Sequence, residues 1–491
     1  MQLHRNRFAF LCISAALVTT SCSDQISTEP INISRSALSV ASGVPTGRTV
    51  VVFKDTASIS LAGVSLIQTL GGTVVKRWDD IGVAFVSGLS TSALTSLQAS
   101  DLVSQVGNDR ILNWLPAIKV GAAVAGEAGL SPNGDPANAR YFKDGTQWGM
   151  RVTGASRAWA AGYLGTKTTR VAIIDTGIDY GHRELAGLVD KSASASFASV
   201  VVSEGGVGVD TGIEPQLPGD EPYMDNHFHG THVAATVASN NISVAGFAPN
   251  VTLIAVKVLS MSGSGSFEGV ASGIRHAAGP ANADVINMSL GANVDANEEG
   301  VSALLELMRR VIKDAEKQGT IVISAAGNSS IDLDVGTTVS TPCEQSTICV
   351  SATGPLLQQN FDQRATYTNY GITAIHVAAP GGNVSDEEGG YVNKDLIISA
   401  CSRRASSATL NVCRANTDGV VYFYAYAAGT SMATPHVAGE AAMIKSANPL
   451  ISVKGLKNAI LHSSDDVQER GRDVYTNWGR INVATALGIA P

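Results

Sequence analysis

Residues 170–177 read Arg170-Val171-Ala172-Ile173-Ile174-Asp175-Thr176-Gly177. Four apolar residues stand in succession, with no polar residue alternating among them. Such a run suits a strand buried on both faces, the condition of a parallel sheet. It ends in a carboxylate and a glycine, at the strand end where α/β sheets place their sites. Similar runs recur at Leu253–Val258, Val285–Met288, Ile321–Ala325 and Ile348–Ala352. Stretches with helical spacing separate them, at His229–Ala238, Phe267–Ala278, Ser302–Gln318 and Ser431–Ser446. The alternation predicts an α/β domain over residues 147–491, with a mainly parallel sheet between helical layers.

Composition limits the rest. At about 150 residues per domain, 491 residues suggest about three units. Lys and Arg number 34 against 42 Asp and Glu, a formal charge of −8, which argues against a nucleic-acid partner. Charged residues make up 15% and hydrophobic residues 44%, too apolar for a disordered chain. No apolar run reaches the roughly 18 residues of a membrane helix.

Residues 1–22 have the form of an export signal: basic His4, Arg5 and Arg7, apolar Phe8 to Val18, then Thr19-Thr20-Ser21-Cys22. Two outcomes are open, cleavage near Ser21 with release, or acylation of Cys22 as in bacterial lipoproteins. Only that lipid would bring the chain to a membrane. Of six cysteines, Cys12 and Cys22 belong to the signal. Cys343 with Cys349 and Cys401 with Cys413 suit local disulfides in an oxidising compartment. Free thiols are one alternative. A metal site is the other, unsupported by any C-x-x-C or nearby histidine pair.

Residues 23–46 form a Ser/Thr-rich linker. Residues 47–115 show a β-α-β-β-α-β pattern, the ferredoxin-like arrangement of a small α+β unit. Residues 116–146 are a second, Gly- and Pro-containing linker.

Three motifs carry chemistry. Asp175 ends the strand already quoted. His229 opens His229-Gly230-Thr231-His232. Ser431 stands in Gly429-Thr430-Ser431-Met432-Ala433-Thr434-Pro435-His436. Singly, each reads as a turn residue, a packed histidine or a helix cap. Jointly, their order and contexts resemble the subtilisin-like serine peptidases, the subtilases, over residues 147–487. Asn287-Met288-Ser289-Leu290-Gly291 resembles the family's substrate-groove strand. Ser324-Ala325-Ala326-Gly327-Asn328 resembles its oxyanion segment, and Lys257-Val258-Leu259 with Gly263-Ser264-Gly265-Ser266 also looks like the family.

The resemblance implies a serine endopeptidase with a subtilisin-like three-layer fold. Ser431 is the nucleophile, His229 the base, Asp175 its orienting carboxylate, and Asn328 an oxyanion donor. Extended protein or peptide substrates would lie along Ser289, Leu290 and Gly291. Ala325, Ala326 and Gly327, with Ser340, imply a small-walled pocket that admits a large apolar side chain. The 47–115 unit resembles the family's inhibitory propeptide, removed by self-cleavage within 113–146. A monomer, exported from a bacterial cell as a zymogen, is expected. Catalysis needs no cofactor. A structural calcium, held by Asp135, Gln147 and Glu184 with carbonyls near residues 240–244, is expected from the same resemblance.

His232 and His436 read as packing residues. Asp225 and His227, flanking the catalytic turn, read as a solvated loop or a substrate contact. Residues 185–224 and 382–427 read as surface insertions that could rim the groove. Two alternatives to the main reading are a processing peptidase with basic-residue specificity and a silent, substrate-binding pseudoprotease. No acidic cluster clearly supports the first, and no triad or oxyanion residue is missing for the second. A serine esterase would show G-x-S-x-G, which Ser431 lacks.

Overall fold

The computed structural model describes residues 43–490, apart from 116–118, 125–133, 205–206, 215, 344, 386–390, 407–408 and 418–419. The expected signal 1–22 with Cys22, linker residues 23–42 and positions 125–133 of the second linker lie outside the described residues.

The N-terminal α+β unit runs β1 (Val44–Phe53), α1 (Leu61–Thr69), β2 (Thr73–Trp78), β3 (Val83–Ser87), α2 (Thr91–Gln98) and β4 (Val103–Asn113). Its strands are antiparallel in the order β4-β1-β3-β2. Ser60 and Ser90 cap the two helices by accepting N–H bonds from Gly63 and Ala93. Strand periodicity sorts the side chains. Val51, Phe53, Ala84 and Val86 pack with Ile67 and Leu97 of the helices. Val50, Val52, Val83 and Phe85 join a second core, supplied by the larger domain. Both faces are dry, so β1 and β3 read as continuous apolar runs.

After β5 (Lys119–Ala123), the larger domain contributes β6 (Arg170–Asp175), β7 (Ala195–Ser196), α3 (His229–Val237), β8 (Thr252–Lys257), β9 (Ser264–Ser266), α4 (Phe267–Ala278), β10 (Val285–Met288), α5 (Val301–Lys317), β11 (Ile321–Ala325), β12 (Ile348–Thr353), β13 (Val377–Pro380), β14 (Ile397–Ala400), β15 (Val420–Ala428) and α6 (Thr430–Ala447). Seven strands form a parallel sheet in the order β13-β12-β11-β10-β6-β8-β7. Val171 and Ile173 face one core, whereas Ala172 and Ile174 face the other. The three-layer α/β expectation therefore holds, and its cause is visible in the residues.

Helix α6 is buried from Thr430 to Ile444. On the second face, α4 and α5 present Val270, Ile274, Leu304, Leu307 and Val311 to the core that β1 and β3 share. The α+β unit thus rests on α4 and α5. Strands β14 and β15 pair antiparallel, and β5 pairs antiparallel with β15. Both cysteine pairs are disulfide-bonded, Cys343–Cys349 and Cys401–Cys413. Among the described residues no helix is long and apolar enough to cross a membrane.

Candidate active site

Asp175 is the last residue of β6 and is fully buried. His229 is the first residue of α3. Gly230 follows it because a Cβ there would stand 2.1 Å from the carbonyl oxygen of Gly177. That close approach brings His229 Nδ1 to 2.8 and 3.0 Å from the two carboxylate oxygens of Asp175. Nε2 of His229 has no hydrogen-bond partner among the described residues. Ser431, in the first turn of α6, donates from Oγ to the Ser289 carbonyl at 2.9 Å. All three side chains are buried. The Asn328 carboxamide oxygen accepts from the backbone N–H and the hydroxyl of Thr430, at 2.9 and 2.8 Å. Asn328 is thereby locked to the residue preceding Ser431.

The turn before His229 departs from expectation. Asp225 is neither solvated nor offered to substrate. Its carboxylate is buried and accepts from the Thr176 hydroxyl (2.9 Å), from Thr231 Oγ1 (2.6 Å) and from the N–H groups of His227, Phe228 and Thr231. Burial pushes its carboxyl up, with Lys257 pulling the other way. No oxygen remains to recognise a basic substrate residue. His227 is also largely withdrawn from solvent, and burial takes it down to about 4. Phe228 has φ 143°, an outlier for a bulky residue. His232 Nε2 lies 3.2 Å from the carbonyls of Ile397 and Ala425, and His436 Nδ1 lies 2.9 Å from the Met432 carbonyl. Burial lowers them to about 3 and about 4. Both are packed, neutral residues.

The segment expected to line the groove already pairs with part of this chain. Strand β9 pairs antiparallel with β4, Ser264 opposite Asn113 and Gly265 opposite Leu112. Trp114 then donates its N–H to the Gly263 carbonyl (3.0 Å) and accepts from the Gly291 N–H (2.8 Å). Its indole N–H reaches the Gly265 carbonyl at 2.8 Å, and its ring stands edge-on to Phe267 at 4.8 Å. Leu290 shares that core. Residues 111–113 therefore extend the sheet against β9, and Trp114 bridges on to the 289–291 segment through Gly291.

Ala325 and Ala326 are buried, and the Ala326 carbonyl accepts from Ser340 Oγ (2.9 Å) and Asn369 Nδ2 (2.8 Å). A Cβ on Gly291 or Gly327 would lie 4.0 or 3.7 Å from Ser340 Oγ. A Cβ on Gly327 would first meet Asn369 Nδ2, at 2.5 Å, so that glycine is packed against the Asn369 amide. Sequence reasoning missed Trp114, whose one signal is a large aromatic placed just before a linker. Lys257, quoted above only as part of a family-like stretch, has a role the sequence did not give it: its buried ammonium meets Glu214 at 2.9 Å and the Thr176 carbonyl at 2.5 Å.

The residues expected to hold calcium do not fit it. Glu184 is buried, and its oxygens accept from the N–H groups of Ile242, Ser243 and Val244 and from the Tyr424 hydroxyl. Gln147 Oε1 accepts from the Ala245 N–H at 2.7 Å. The loop offers N–H donors, whereas calcium needs converging oxygens. Asp135 caps a short helical turn by accepting from the Ala137 N–H. Among the described residues no group of three or more His, Cys, Asp or Glu side chains is arranged to hold a metal.

A family model, that of the subtilase family of peptidases, matches residues 166–479. The chain is 30% identical over 406 residues to subtilisin NAT of Bacillus subtilis subsp. natto, covering 80% of this chain and 87% of that protein. It is 30% identical over 397 residues to a thermophilic serine proteinase of Bacillus sp. (strain AK1), covering 77% and 80%. Among solved structures, the epidermin leader peptide processing serine protease of Staphylococcus aureus aligns with a TM-score of 0.65 at 20% identity, over 90% of this chain and 97% of that one. Fervidolysin of Fervidobacterium pennivorans, also at 0.65 and 20%, covers 92% of this chain and 62% of its own. These two likenesses concern the fold.

Proposed function

The chain belongs to the subtilase family and is a subtilisin-like serine endopeptidase; from that premise we propose that Asp175, His229 and Ser431 are its catalytic triad, and that it is made as a self-processing zymogen. The observation that carries the reading is the two-oxygen grip of Asp175 on His229 Nδ1, which leaves Nε2 unpartnered among the described residues while Ser431 is buried in the first turn of α6. A serine hydroxyl is a weak nucleophile unless a base takes its proton. Asp175 holds the proton on Nδ1, so Nε2 is the basic nitrogen. It accepts the Ser431 proton during attack and returns it to the leaving amine. The resulting imidazolium is stabilised by Asp175. Negative charge forms on the former carbonyl oxygen, where the Asn328 amide and the Ser431 N–H donate. No cofactor enters these steps, and no calcium is invoked.

We assign residues 47–115 as an inhibitory propeptide. Trp114 supports this, because its N–H and C=O bonds are those an extended substrate would make. The maturation bond would fall after Trp114, within residues 113–146. Substrates are extended protein or peptide segments, and the family's chemistry calls for no nucleic acid. Export through residues 1–22, as a monomer either released or anchored at Cys22, completes the proposal; the two disulfides accord with an oxidising compartment.

The test is intact mass of residues 23–491, wild type beside Ser431→Ala. Wild type should lose its N-terminal segment and digest unfolded casein; Ser431→Ala should stay full length and inert. If both remain full length and neither cuts casein, the triad and zymogen readings fail together.

A further inference from the structure

Cys401 and Cys413 close a loop that grips the turn before His229 residue by residue. Ser402 Oγ donates to the Asp225 carbonyl at 2.6 Å, the Ser406 N–H to the Asn226 carbonyl at 2.9 Å, and Thr409 Oγ1 to the His227 carbonyl at 2.8 Å. The next residue, Phe228, packs its ring with the two disulfide cysteines, Ala405 and Ala425. Four consecutive residues are therefore held by one loop. The same loop reaches the other arm of the site. Arg403 binds Asp179, four residues beyond Asp175, through Nε at 2.8 Å, Nη2 at 2.7 Å and its backbone N–H at 3.0 Å. The Asp179 backbone N–H in turn donates to Thr231 Oγ1 at 3.0 Å, two residues past His229.

The turn needs this support. Phe228 has φ 143°, a conformation that persists only where the surroundings over-determine it. Helix α3 begins at once with His229; Phe228 at its N-cap offers no capping side chain, and the first-turn N–H groups of Gly230 and Thr231 go instead to Thr176 Oγ1 and Asp225, so the helix start depends on that turn. A one-residue relaxation of φ at Phe228 would swing the imidazole relative to Asp175 and Ser431. Without its cross-link the loop would gain conformations and loosen locally.

We infer that the disulfide-closed loop 401–413 is a positioning element for His229, so that catalytic rate, rather than substrate binding, depends on the Cys401–Cys413 bond and on the Ser402 and Thr409 hydroxyls. This rests on the triad reading above. None of these residues touches the reacting atoms. They act through the turn, by holding the base within the narrow range of distances that proton transfer from Ser431 requires.

The test uses the full chain after maturation, with a chromogenic peptide amide as substrate, at a temperature well below each variant's Tm. Thr409→Val keeps the shape and removes the donor; Thr409→Ser restores it. Thr409→Val and the double variant Cys401→Ser/Cys413→Ser should lower kcat on the order of tenfold or more, because small misplacements of catalytic groups are expensive in rate. KM should stay within about twofold, since the groove strands are untouched. Thr409→Ser should recover wild-type kcat. Should the double variant not fold, the Thr409 pair decides alone. Full kcat in Thr409→Val with only a lowered Tm, or a raised KM at unchanged kcat, overturns the proposal. The triad reading is checked in parallel: a Ser431→Ala chain as active as wild type sinks both, whereas an inert Ser431→Ala beside a fully active Thr409→Val sinks the positioning role only.

Discussion

Replacing Trp114 by alanine tests the proposal that residues 47–115 block the groove. The side chain has no exposed surface. Its indole N–H is bonded to Gly265 and its ring is packed against Phe267. Removing a buried Trp side chain costs about 3–5 kcal/mol when the site cannot collapse. The strands on either side belong to the peptidase domain, so the loss falls on docking. Each 1.4 kcal/mol is tenfold in affinity, which gives about two to three and a half powers of ten. Trp114→Phe keeps most of the ring but strands the Gly265 carbonyl, for roughly a tenfold loss. The assay is inhibition of mature enzyme by added segment 47–115, wild type against each variant. Any cost of folding the isolated segment is largely common to all and cancels in the ratio. An inhibition constant that moves less than tenfold for Trp114→Ala would refute the claim that this residue anchors the segment in the groove.

Asn328→Ala should lower kcat by about 10²–10³ with little change in KM, since the amide acts on charge present only in the transition state; steady-state kinetics on a peptide amide checks this. Lys257→Met in a Ser431→Ala background leaves Glu214 buried without its partner and should cost about 3–5 kcal/mol in denaturant unfolding, most of it recovered in the double variant with Glu214→Leu; a single variant as stable as its parent would contradict the buried pair. Asp109 accepts from Thr46, from Arg48 and from the Glu268 N–H, yet burial outweighs them and raises its pKa from 3.8 to about 6. The native state then binds this proton more tightly than the unfolded chain, so its contribution is present below pH 3.8 and is lost as pH rises through 6, ~3 kcal/mol at most. Urea unfolding of Ser431→Ala with and without Asp109→Asn, from pH 4 to 7, should show the difference shifting toward the asparagine variant as pH rises; parallel curves would be the contrary result. Because N–H groups saturate Glu184, a calcium chelator should leave Tm unchanged in a thermal scan, whereas a clear drop would place a calcium elsewhere.

Much of this protein was legible in one dimension. The strand at 170–175 and its four partners are continuous apolar runs because both faces of a parallel sheet are dry, and that dryness is written locally. Asp175, His229, Asn328 and Ser431 sit in short contexts whose glycines and small residues are demanded by close approach, as Gly230 against Gly177 shows. Those contexts can be read without knowing what lies opposite. Other features depend on partners far apart in the chain. Glu184 looked like a cation ligand until residues 242–244 turned their N–H groups toward it. Asp225 looked exposed until Thr176 and Thr231 closed over it. Trp114 was an aromatic before a linker until β9 and Gly291 took its backbone. The disulfide loop 401–413, part of a stretch that read as a surface insertion, meets the carbonyls of 225–227. Local patterning determined the sheet, the helices and the short contexts of the proposed reactive groups, because periodicity and close packing act over a few residues. Which polar groups were spent on the fold and which were left for chemistry was decided only by tertiary structure, because a hydrogen-bond donor and its acceptor need be neighbours only in space.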